Sequence, residues 1–192
     1  RCVRNRGFTL IELLVVVGII ALLVGILMPV LTTVRRSSYR TTCRAHLRDI
    51  GAQFQMYLTD SKNRLPRVNP IPSLKPPLND APSIVELLKP YHRGEGKVFR
   101  CPADRITLPS AAAPAGYVTY FEREGTSYMY NENLATRYAG MQINDTRLYQ
   151  ERKQSLLPIL SDFESFHGPK GTNGSMNHLF ADMHVGDLLD VN

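Results

Sequence analysis

"RGFTLIELLVVVGIIALLVGILMPVL", Arg6 to Leu31, sorts the chain into its parts. The run from Leu13 to Leu31 is 19 residues without a charge, about what a helix needs to cross ~30 Å of hydrocarbon. It is longer than the roughly 7–15-residue core of an ordinary secretory signal. One acid, Glu12, stands at its start. A carboxylate in a membrane segment is costly and normally has a partner, so Glu12 needs an explanation that composition does not supply. Arg1, Arg4 and Arg6 precede the run with no acid among them. That flank favours an inside N-terminus and an exported body, although Arg35 and Arg36 follow the run. The sequence opens on Arg rather than Met, so part of the natural N-terminus is expected to be missing.

Working outward, 192 residues suffice for one ordinary domain and one extra element. The formal charge of +6 falls to +3 once the three leading arginines are set aside, and no dense basic patch follows. Nucleic acid is therefore not an expected partner. Tyr39, Cys43, Leu47, Ile50, Phe54 and Tyr57 recur at steps of three and four, one face of a helix. Together the two stretches predict a single helix from Phe8 to Asp60, apolar all round in its first half and amphipathic in its second. Pro29 should kink or loosen it. The six prolines between Pro66 and Pro82 exclude regular structure and read as a surface linker. Ser83 and Glu86 have capping-box spacing ahead of a short helix stopped by Pro90. Residues 177–189 read as two strands around a turn at Asp182-Met183, and so as part of a small antiparallel sheet.

These residues carry a resemblance. The basic leader ending in Gly7, followed by Phe8, Thr9, Leu10, Ile11 and Glu12 and then the apolar helix with Pro29, resembles the prepilin-type signal of type IV pilins and type II secretion pseudopilins. More loosely, "CRAHLRDIGAQFQMYLTDSKNRLP", "FRCPAD", "SYMYN" and "NHLFADMHV" resemble the pilin-like proteins abundant in Planctomycetes. Those relatives end in a histidine nine residues before an Asp-Gly pair. Here Thr172 and Met183 stand in the His and Gly places.

The resemblance implies an α+β, pilin-like fold: a long N-terminal helix, membrane half and amphipathic half, packed on a small antiparallel sheet. It divides the chain into a leader (1–7), an assembly helix (8–34), an amphipathic half (35–64) and an extracytoplasmic head (65–192). It implies cleavage after Gly7 by a prepilin peptidase and N-methylation of Phe8. Assembly into a helical filament, with itself or with other pilin-like subunits, would then proceed on an inner-membrane platform. Glu12 would meet the Phe8 amine of a neighbouring subunit, which answers the question its position raises. A plain signal anchor explains the apolar run and the arginines, but not the order Gly-Phe-Thr-Leu-Ile-Glu. Gly18 and Gly25 are either close-packing points between filament helices or ordinary membrane-helix glycines.

Cys2 leaves with the leader, and an even pair, Cys43 and Cys101, remains for an oxidising compartment. A disulfide is expected between them, with free buried thiols as the alternative. The C-terminal set Asp162, His167, His178, Asp182, His184 and Asp187 is the candidate metal or catalytic group. No cofactor is expected; the alternative is Ca2+ on Asp162, Asp182 and Asp187, since secretion pseudopilins as a family carry a calcium site in a C-terminal loop. Histidines on exposed strands should be solvated. No phosphate loop, nucleophile elbow or zinc pair is present, so an enzyme is not expected. Two readings remain: a filament subunit, and an exported module that binds polysaccharide or DNA through residues 65–154. There Tyr91, Tyr117, Tyr120, Phe121, Tyr128, Tyr130 and Tyr138 would form either a stacking surface or core.

Overall fold

A computed structural model describes residues 9–73, 80–92, 94, 96–106, 108–109, 117–151 and 154–188. Helix α1 spans Leu10–Asp60, 51 residues, or about 77 Å at 1.5 Å per residue. It stays helical across Pro29, whose carbonyl accepts the Thr32 hydroxyl at 2.8 Å and the Thr33 hydroxyl at 3.3 Å. The chain divides into two compact units, Arg1–Ser38 and Tyr39–Asn192. In the first, the apolar side chains from Leu10 to Val34 are exposed. Among the described residues this is the helix long and apolar enough to cross a membrane.

The second unit is an α+β head. Its part of α1 buries Cys43, Leu47, Ile50, Gly51, Gln53, Phe54 and Leu58, while Arg48, Asp49, Ala52, Gln55 and Met56 face solvent. Against the buried stripe lies an antiparallel sheet of four strands in the order β3-β4-β5-β6. These are Tyr128–Tyr130, Pro158–Asp162, His178–Phe180 and Val185–Gly186. Tyr128 pairs with Asp162, Ser161 with His178 and Leu179 with Val185, with a register irregularity between Pro158 and Leu160. Phe54 meets Tyr130 with ring centroids 6.0 Å apart. The β5–β6 turn puts Met183 at φ +66, a left-handed conformation that glycine adopts without strain.

Short elements complete the head: strands β1 (Leu108–Pro109) and β2 (Tyr117–Val118), paired with each other, and helices α2 (Ile84–Leu88), α3 (Tyr120–Glu124), α4 (Glu132–Thr136) and α5 (Arg147–Glu151). Helix α2 opens with the Ser83–Glu86 capping box and tightens into a 3-10 turn that takes in Pro90. The same capping device opens α3, from Thr119 to Glu122.

The proline-rich segment corrects its sequence reading. Leu65, Pro66, Val68, Asn69 and Pro70 are buried, so residues 65–70 are a packed strap rather than a surface linker; Pro72 and Pro82 are exposed, and 74–79 lie outside the described residues. Its backbone finds partners far along the chain: Leu65 N donates to Met141 O and Gly140 N donates to Leu65 O, both at 2.8 Å. The prolines exclude a strand ladder, not burial.

Candidate functional site

At the start of α1, Glu12 Oε2 accepts the Thr9 N–H at 2.8 Å and the Thr9 hydroxyl at 2.7 Å, while Glu12 N donates to Thr9 Oγ1 at 3.3 Å. This is a capping box: each residue satisfies an N–H that the first helical turn leaves without a partner. Glu12 is thus held within its own chain and remains exposed. Gly7 and Phe8 lie outside the described residues. Gly18 and Gly25 have open space where a side chain would stand.

In the head, Cys43 and Cys101 form a disulfide, and both are fully buried. It fastens α1 to the "FRCPAD" segment. Cys101 N donates to Ser127 Oγ at 3.0 Å, and the Ser127 hydroxyl donates to Asp104 Oδ2 at 2.7 Å. Asp104 also accepts the Phe121 N–H at 2.8 Å and the Tyr120 N–H at 3.4 Å, so it secures the start of α3. On the far side of the disulfide, His167 Nε2 stands 3.6 Å from Cys101 Sγ and 3.4 Å from Asp162 Oδ2. Asp162 Oδ2 accepts the Asn177 N–H at 2.7 Å and the Asn177 side-chain amide at 3.0 Å. Asn177 Oδ1 in turn accepts Arg44 Nε at 3.2 Å, which returns the network to α1.

The three aspartates proposed for calcium have different surroundings. Asp162 is buried against Asn177 and His167; Asp187 is buried and accepts the Gly174 N–H; Asp182 is exposed and sits 2.5 Å from His184 Nδ1. His184 is exposed and stacks on Phe180 at 4.3 Å. The expectation of solvated histidines concerned exposed strands, and His178 is not on one. His178, on the inner strand β5, is buried, and burial lowers its pKa against the opposing pull of Asp162 and Asp187. Thr172 donates its hydroxyl to Pro169 O at 2.7 Å. Among the aromatics, Tyr128, Tyr130 and Tyr138 are core. Tyr120 stacks on Phe163 at 4.9 Å, and Tyr91 meets Tyr57 edge-on. The side chain of Tyr117 lies outside what is described. The sequence reading gave no role to Asp104, Ser127 or Asn177, although they stand in the quoted stretches "FRCPAD", "SYMYN" and "NHLFADMHV". It also passed over Thr9, although Thr9 and Glu12 have the spacing it recognised at Ser83 and Glu86.

A bare membrane-length helix, closed at its first turn by Thr9 and Glu12 and running on as the spine of a small α+β head, is the build of a pilin-like protein. The prokaryotic N-terminal methylation motif matches residues 2–28. Over 58 residues the chain is 41% identical to the "Type IV wide pilus major component PilA4" of Thermus thermophilus, a match that covers 30% of this chain and 44% of that protein. The chain thus spans less than half the length of the curated relative it matches. No solved structure matches it.

Proposed function

We propose that this chain is a structural subunit of a pilin-like filament, a type IV pilus or a type II secretion pseudopilus. It is cleaved after Gly7, methylated on the Phe8 amine and held in the inner membrane by α1, with its head outside, until a platform draws it into the filament. The observation that carries this reading is the contrast along one helix. From Tyr39 onward α1 buries a stripe against its own head, whereas from Leu10 to Val34 nothing among the described residues covers the apolar side chains. A surface of that extent needs lipid before assembly and neighbouring helices after it. The core positions of Tyr128, Tyr130 and Tyr138 take support from the reading in which they form a ligand-stacking surface.

Glu12 then has two successive partners: Thr9 within the chain, and the Phe8 amine of a neighbour in the filament. Glu12→Gln separates the two roles, because an amide oxygen still accepts the capping hydrogen bonds but carries no charge. Both Glu12→Gln and Glu12→Ala should be inserted and cleaved normally, with N-methyl-phenylalanine found by intact-mass analysis, yet yield no sheared filaments. Wild-type filament yield from Glu12→Gln, in cells lacking the native copy, would refute the counter-ion role. An uncut leader in cells with an active peptidase would refute the processing.

A further inference from the structure

The disulfide has a neighbour that its structural role does not use. The sulfurs of Cys43 and Cys101 and a ring nitrogen of His167 all lie within 4.8 Å of one another, a convergence of three ligand-bearing residues. The His167 side chain is only 1% exposed. Its Nδ1 is buried with no hydrogen-bond partner among the described residues, and so is Asp162 Oδ1. Buried polar atoms left without partners are costly. Here one is an imidazole nitrogen and the other a carboxylate oxygen, and both belong to a pair in contact with a cysteine sulfur.

We propose that Cys43, Cys101 and His167, with the thiols reduced, form a site for a borderline-soft divalent cation of the zinc type, filled before the disulfide closes. Two thiolates and an imidazole are the donor set that selects zinc or cobalt over calcium or magnesium. Asp162 stands beside the same His167 nitrogen, Nε2, with one oxygen held by Asn177 and the other bare, and so supplies the fourth ligand. Bound metal and disulfide exclude each other, because each needs both sulfurs. A dithiol reductant gives two electrons and two protons to the Cys43–Cys101 bond and leaves as its own disulfide. The cation then displaces both thiol protons to solvent. In the reverse direction an oxidising disulfide takes up the two electrons, the S–S bond forms and the cation is released. The ligands come from α1, the "FRCPAD" segment and the loop after β4, with Cys101 and His167 66 positions apart, so no short motif displays the site.

The test uses the full chain in detergent, with Cys2→Ser so that only two thiols remain, reduced with a dithiol, freed of it without oxygen and titrated with Co2+. One equivalent should bind with a thiolate-to-cobalt charge-transfer band and tetrahedral d–d absorption, both bleached by Zn2+. The oxidised chain should show neither. Zn2+ should also raise the melting temperature of the reduced chain. Asp162→Asn should weaken Co2+ binding by about 10–100-fold, and His167→Ala by at least as much. The proposal is overturned if the reduced chain gives no charge-transfer band, or if His167→Ala binds Co2+ as tightly as its parent.

Discussion

Gly51 brings α1 close against the sheet. A Cβ built there would stand 2.9 Å from Leu179 Cδ1 and 3.4 Å from Cδ2, with Met183 Sδ at 3.7 Å. Leu179 is fully buried on β5, so its methyl groups have little room to retreat. Two effects of Gly51→Ala oppose each other. Replacing glycine in a helix interior gains about 1 kcal/mol, whereas an extra methyl in a packed core costs about 1–3 kcal/mol. The contact is with the far end of a flexible side chain, which places the cost near the middle of that range, and a net loss of about 1 kcal/mol is expected. Leu179→Val removes both clashing carbons. It should therefore cost less in the Gly51→Ala background than alone, with a coupling of roughly 1 kcal/mol. Urea unfolding of the soluble piece from Arg35 onward, followed by far-UV circular dichroism, measures all four corners of the cycle. A gain near the full ~1 kcal/mol of helix propensity from Gly51→Ala, without coupling to Leu179, would refute the close approach.

Two further outcomes are expected from the head. Replacing both Cys43 and Cys101 by Ala opens a loop whose ends are 58 residues apart and should cost about 4 kcal/mol on the chain-entropy account, seen as a lower urea midpoint; two alkylatable thiols in the native exported protein would instead show that the bond does not form. His178 titrates lower in the folded head than in the unfolded chain because it is buried, so below about pH 6.5 the unfolded state binds the extra proton. Its contribution is complete above that pH and is lost as pH falls toward the lowered folded value; a His178→Gln head should lose less stability between pH 7.5 and 5.5 than wild type, and equal losses would refute this.

Much of this build is readable from residue order, and the reasons differ by element. Helix α1 announces itself twice, by sheer apolar length and then by the three-and-four spacing from Cys43 to Phe54, because both signals are local. The cap at Ser83 and the turn at Asp182-Met183 are local too. The strap at 65–70 is not: its burial depends on hydrogen bonds to residues 140–142, which no window of sequence joins to it. His178 is buried because β5 is an inner strand, a property of strand order rather than of its neighbours in sequence. The Asp162–His167–Cys101 contact likewise needs the sheet and the loop after β4 to exist first. Thr9 and Glu12 are the opposite case, a legible capping box embedded in a stretch whose apolar character dominates the reading.

The disulfide also fixes where a pulled chain can give. Tension applied along α1 from its N-terminal end reaches the head at Cys43, and from there the covalent path jumps to Cys101. The 58-residue stretch between them would otherwise pay out about 200 Å of extended chain. With the link closed, that length is locked out of the load path. Helix α2, the proline strap and the second half of α1 hang on a closed loop that bears no end-to-end force. Within the head, the load falls on the short stretch of α1 before Cys43 and on the residues beyond Cys101, which include the sheet.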